Sequence, residues 1–457
     1  MKKKIECLVL LIVVLLSSCN NATEINMEDD RVSNLIYTPN FISTADSQVE
    51  FQPNGLEAQM TEAENFYYYI CENFLYSISK KDGKVRALDN NPDTLDHLET
   101  DENLRAESNA YFERLDSVQY VDGKLYVASI ENVEALDNPN ELNWAQPVIY
   151  EVDTEGAGRK AIFRAKKDVY LSMIHRGYIY FASDQNAEIY DLIMNHKEEY
   201  EEELQKFSYK IERVPLNNPD AEYELMYEAR GELGVVSKML AIGDRLFFGL
   251  QSFELDDDGS VDFRPETSLL AMDLNSKECK VLTDFGDEFT LTIPKVLEDS
   301  FVFYKSVGKD LYIAVDDLVK YAEKGNNYTD LDLERKMLIS DFDFEIKNEV
   351  ELYPALKVGL VYSFGKYTII DNFPIALLGV EERLFRIVNE KGEIVDEIKG
   401  DKELSTSLGM DSQYFFVAGS DITFSEDDNA TSFSHIYYLD LNKLGSGKLK
   451  WEKLTKF

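Results

Sequence analysis

The densest run of oxygen donors in the chain is Asp256-Asp257-Asp258-Gly259-Ser260-Val261-Asp262. Carboxylates spaced around a glycine turn are what a hard cation seeks, and Asp256, Asp258 and Asp262 are the three that calcium would take. A poorer version follows at Ser425-Glu426-Asp427-Asp428-Asn429. Calcium wants about six to eight oxygens, and the bidentate glutamate that completes a helix-flanked calcium loop is not at its place. An acidic hairpin tip is therefore the competing reading, and no cofactor is required. His97, His175, His196 and His435 form no His-x-x-x-His pair, which leaves zinc chemistry without ligands.

Nucleophile and nucleotide motifs are also missing. There is no G-x-S-x-G, no Walker loop and no dinucleotide fingerprint. Paired carboxylates acting on a glycosidic bond stay open in a chain so rich in Asp and Glu. A surface carbohydrate-active enzyme or a glycan-binding protein is accordingly the alternative to a non-catalytic binding role.

These residues are positioned by a repeat. Ser117 to Val121 alternates as a strand, Asp122-Gly123 makes a two-residue turn and Lys124 to Ile130 returns; Val148 to Val152 and Arg159 to Arg164 form a second hairpin. The second and third strands of this meander recur as 178–183 with 209–214, 245–250 with 269–274, 310–315 with 337–342, 366–370 with 383–388 and 414–420 with 436–441. An abbreviated first copy spans 66–70, 75–79 and 83–88, with an inner strand expected at 58–60. Sheets apolar on both faces must stack on neighbours, and radial closure leaves only short edges. The sequence thus predicts an all-β, seven-bladed β-propeller of four-stranded antiparallel blades over residues 34–457.

Long insertions at 131–146, 184–206, 251–266, 316–336 and 420–433 all fall between the second and third strands of a blade, so they emerge at one end. They carry 28 acidic and 7 basic residues, a focused negative field that would steer a cationic protein or peptide partner. Trp144, Asp257, Asp427 and Asp428 are the candidate residues of that binding face. Two insertions read as short helices, through Ile189, Ile193, Tyr200, Leu204 and Phe207 and through Leu318, Val319 and Ala322.

The amino terminus sets the compartment. Lys2 to Lys4 precede an apolar stretch, Cys7 to Leu16, that stops at Leu16-Ser17-Ser18-Cys19. This pattern is similar to the lipobox of bacterial lipoproteins, which implies a signal peptide over 1–18, a diacylated Cys19 and a polar tether over 19–33. Two acyl chains suffice for stable anchoring at about 0.8 kcal/mol per buried methylene. The expected location is the extracytoplasmic face of the membrane, with the lipid as the only membrane contact. Net charge is −39 for the full chain, which repels nucleic acid. Cys71 and Cys279 fall three blades apart, too far for the roughly 7 Å limit of a disulfide, and a monomer is expected.

Two resemblances accompany this reading. Y-Y-L-D-L-N-K-L-G-S-G-K-L-K-W (437–451) loosely resembles the repeat of quinoprotein-type propellers, although only this copy keeps the tryptophan. The stretch F-Y-Y-Y-I-C-E-N-F-L-Y-S-I-S-K-K-D-G-K-V (66–85), with S-N-A-Y-F (108–112), is similar to a group of uncharacterised Gram-positive propeller lipoproteins. That resemblance implies a Gram-positive cell surface. Members often have cysteines in the segment joining these motifs, where this chain has Asp89, Thr94 and Ser108, so a metal or disulfide there is not implied.

Overall fold

The computed structural model describes residues 59–71, 73–91, 107–112, 114–133, 144–166, 169–183, 207–230, 234–255, 261–283, 289–291, 295–297, 300–307, 334–352, 360–364, 367–372, 382–400, 404–410, 413–424 and 430–454. Seven antiparallel sheets follow one another along the chain, each from a contiguous stretch of sequence. Blade 2 shows the pattern: Leu115–Val121, Lys124–Val133, Trp144–Val152 and Arg159–Arg164 lie side by side in chain order. The Asp122-Gly123 turn that joins its first two strands has φ of 51° and 77°, the left-handed pair that matches strand twist. The first strands of neighbouring blades touch, which places them innermost.

Each blade buries both faces, and apolar clusters fill the interfaces around the ring. Tyr68, Leu75, Val118 and Val127 join blades 1 and 2, while Ile149, Phe163, Ile179 and Phe181 join blades 2 and 3. Phe247 of blade 4 meets Phe301 of blade 5 edge-on at 5.3 Å. The ring closes where Tyr67 of blade 1 packs on Phe416 of blade 7, centroids 5.0 Å apart. The seven-bladed propeller expected from the repeats is the architecture observed.

Three expectations are revised. In blade 5 the strand beside Glu334–Ser340 is Ser300–Val307, with Phe301 opposite Ser340 and Val307 opposite Glu334; residues 310–315 lie outside the described residues. Phe301 to Tyr304 are all buried, Phe301 against Phe247 of blade 4 and Val302 and Tyr304 in a cluster with Ile370 and Val388 of blade 6. Second, insertions expected as loops are in part strand. Blade 2 keeps pairing to Val133 opposite Trp144, blade 4 to Leu255 opposite Val261, and blade 7 to Phe424 opposite Ala430. In blades 2 and 7 the alternating residues extend a ladder already in register, while in blade 4 pairing resumes past a register shift between Ser252 and Glu254. Third, blade 1 is complete: Met60–Glu62 pairs with Phe66–Cys71, two residues later than the inner strand expected at 58–60. Of the helical insertions, Ile189, Ile193, Tyr200 and Leu204 and the stretch Leu318 to Ala322 lie outside the described residues, while Phe207 is not helical and packs in the core just before strand Ser208–Pro215; Leu441–Lys443 forms a short 3-10 turn.

Candidate functional site

In an antiparallel meander the turns joining strands one to two and three to four share one end, and the hairpins joining two to three share the other. The paired strands of blades 2, 4 and 7 end there at Val133 and Trp144, Leu255 and Val261, and Phe424 and Ala430, and the acidic caps are the sequence segments between those ends, 134–143, 256–260 and 425–429. Asp256, Asp257, Asp258, Asp427 and Asp428 belong to those caps and lie outside the described residues, as does Cys19. Asp262 is placed in the ladder of strand Val261–Asp273, opposite Glu254. Trp144 begins the strand Trp144–Val152 opposite Val133, instead of standing in a free loop. No group of three His, Cys, Asp or Glu able to hold a metal occurs among the described residues.

The base of this end is electrically settled within the blade. Glu131 accepts from the Tyr150 hydroxyl and is paired by Arg164. Burial favours its neutral form, yet these two donors outweigh it and leave the carboxyl below its usual pKa. Lys336 likewise pairs with Glu349 at 2.6 Å across the strands of blade 5. In sequence, segments 134–143, 256–260 and 425–429 together hold nine acidic residues and no basic one.

Around the channel, single polar side chains fasten the inner strands to one another. Thr61 Oγ1 accepts from the Tyr120 backbone N–H at 3.1 Å, linking blades 1 and 2. The Gln119 amide binds both backbone groups of Ile174 at 2.9 and 3.1 Å, linking blades 2 and 3. His175, fully buried, places Nε2 2.6 Å from the Gly243 carbonyl of blade 4 and so has a structural role. Sequence patterning missed these links because each is one polar residue whose partner lies about 55 or more positions away.

Blades 1 and 2 are also joined by a polar knot built from the segment singled out by resemblance. Asp89 is buried and accepts from Ser108 Oγ at 2.7 Å, while Asn109 Nδ2 reaches the Gly156 carbonyl at 3.1 Å. Asp89 and Ser108, 19 positions apart in the chain, are thus neighbours held by a hydrogen bond. Cys71 and Cys279 are not bridged to each other, as their placement three blades apart requires.

At the opposite end of the ring, a groove of about 560 Å³ opens between blades 2 and 3. Tyr126, Asp122, Glu151, Arg176 and Asn217 line it, over an apolar floor that includes Ile162. Lys124 and Glu151, 2.9 Å apart, divide it from a neighbouring hollow of about 470 Å³. Arg176 holds φ at 45°, uncommon for a long side chain, because the hairpin into Gly177 needs two left-handed residues. The Arg-Gly pair was the available sequence signal for this turn.

No family model matches the sequence, nor does any curated protein. Among solved structures, a prolyl endopeptidase aligns with TM-score 0.49 and 13% identity over 89% of this chain and 51% of that one, so this chain spans about half its length. An oligogalacturonate lyase from Vibrio parahaemolyticus aligns with TM-score 0.41 and 11% identity, covering 88% and 89% of the two chains. TolB from Acinetobacter baumannii gives 0.33 and 11%, covering 87% and 78%. At these identities no chemistry transfers from one protein to another.

Proposed function

We propose that this protein is a non-catalytic binding module, anchored through a lipidated Cys19 at the extracytoplasmic face of a Gram-positive membrane, whose acidic hairpin end captures a cationic protein or peptide. The observation that carries the reading is the extension of blades 2, 4 and 7 as paired strands at one end, each under an acidic cap. Paired strands bring the ends of these segments to one end of the ring, which supports a common negative field there. Calcium at Asp256, Asp258 and Asp262 would organise the blade 4 cap; native mass spectrometry with and without chelator tests it.

The main test replaces Asp256, Asp257 and Asp258 by Lys and, separately, deletes residues 184–206. Binding of an oligolysine peptide should weaken at least tenfold in the charge-reversed protein and lose its salt dependence, with thermal stability unchanged. Equal binding by wild type and both variants refutes the reading. Cys19→Ala should move the protein from the membrane fraction to the medium. A second reading, a glycan-binding propeller, draws on the groove between blades 2 and 3, where Tyr126 adjoins Asp122, Glu151 and Asn217. Glycan-array binding abolished by Tyr126→Ala and unaffected by changes to the caps would favour it.

A further inference from the structure

The inner strand of blade 4, Gly234–Ile242, carries a β-bulge between Val236 and Lys238. An unbroken strand sends successive side chains to opposite faces, whereas a bulge can bring two to the same one. Gly249 on the adjoining strand records that outcome. A Cβ placed there would lie 2.6 Å from Ser237 Oγ, 3.0 Å from Lys238 Cγ and 3.1 Å from Lys238 Cε. Both side chains therefore lie over the bare backbone of this glycine. The face is the one turned to blade 5, because Phe247, two residues earlier on the strand of Gly249, packs on Phe301.

Among the described residues, no protein group answers either polar function. Ser237 Oγ is buried without a hydrogen-bond partner. Lys238 is half-buried, and among the described residues it has no ion pair. Burial lowers its pKa, and among the described residues no acidic neighbour offsets the effect. In a chain of 86 acidic and 47 basic residues, an inward ammonium lacking a carboxylate runs against composition. A partly desolvated cation and a buried hydroxyl each lose stability unless something fills their vacant bonds, and one anion answers both.

We propose that Ser237 and Lys238 form an anion-binding site on the inner strand of blade 4, taking a carboxylate or a small oxyanion. Lys238 supplies the charge and Ser237 a directed hydrogen bond, with Gly249 providing the flat bed over which the lysine stem lies.

The test uses the full-length mature protein. Thermal unfolding is followed against increasing acetate in one arm and inorganic phosphate in the other, each at ionic strength fixed with chloride. Wild type should show a saturable rise in Tm. Lys238→Met keeps the stem over Gly249 and should show none, while Ser237→Ala should bind about fivefold to tenfold more weakly, the loss of one hydrogen bond. Saturation by acetate identifies an organic carboxylate as the ligand class, and saturation by phosphate alone an oxyanion. A rise that does not saturate, or that is equal in Lys238→Met, overturns the proposal. Should Lys238→Met fail to fold, acylation of wild-type Lys238 read by peptide mass spectrometry decides: protection by the anion supports the site, and an unchanged rate overturns it.

Discussion

Asp371 and Arg383 form the most deeply buried ion pair among the described residues, with side chains 0% and 8% exposed. Arg383 Nε and Nη2 donate to the two carboxylate oxygens at 3.0 and 2.6 Å, and Nη1 donates to the Leu404 carbonyl on the inner strand of blade 7 at 2.8 Å. The pair thus ties blade 6 to blade 7. Asp371→Asn keeps the shape and removes the charge, leaving a buried guanidinium with part of its partner gone. Breaking such a pair costs about 3–5 kcal/mol, because the surviving charge is uncompensated. Unfolding entropy near 2.1 cal/mol/K per residue gives about 0.9 kcal/mol/K for a propeller of roughly 420 residues, so Tm should fall by about 3–6 °C. Scanning calorimetry at neutral pH measures it. The paired variant Asp371→Leu with Arg383→Met should recover most of the loss, since two apolar groups remove both desolvation terms. A single variant within 1 °C of wild type, or a double variant as unstable as the single one, refutes the reasoning.

Two further outcomes are expected. A Cβ at Gly156, which has φ of 86°, would sit 2.8 Å from the Asp89 nitrogen and the Leu88 carbonyl carbon, whereas one at Gly123, φ 77°, meets nothing within 4 Å. Gly156→Ala should therefore cost several kcal/mol in urea unfolding and Gly123→Ala only about 1 kcal/mol, the left-handed penalty alone; equal losses would dismiss the Asp89 knot. Glu224 is held down to about 2 by hydrogen bonds from Arg213 of its own blade and Lys277 of blade 4. A depressed carboxyl stabilises the fold above its unfolded pKa, and that contribution is lost as pH falls from about 4.5 toward 2. Because the side chain is 41% exposed, solvent screening limits the effect to about 1 kcal/mol. Glu224→Gln should flatten the stability profile across that window, and parallel acid titrations of the two proteins would contradict the assignment.

The ring was legible from the sequence because each blade repeats a local pattern: Asp122-Gly123 announces a hairpin, and runs such as Tyr178 to Ser183 demand burial on both faces. Blade 5 was misread because two apolar runs, 300–307 and 310–315, compete for one strand, and periodicity cannot rank them. The choice depends on which run fits between Phe247 and Phe344, a tertiary matter. Extension of the hairpins was partly readable, since Phe253 and Leu255 alternate with polar residues as do Val261 and Phe263. Thr61, Gln119 and His175 could not be found as inner-strand fasteners, since nothing local distinguishes them from other polar residues. The Ser237 bulge is likewise set by pairing across to Gly249.

No strand is exchanged between the first and last blades among the described residues: each sheet is drawn from one continuous piece of chain. The seam at Tyr67 and Phe416 is therefore secured by side-chain packing, with no ladder running across it. New termini introduced between any two blades should leave every sheet whole, making the molecule a natural subject for circular permutation. The same seam is where the annulus would part first under load, so tension from a captured partner would be felt as loosening between its two terminal blades.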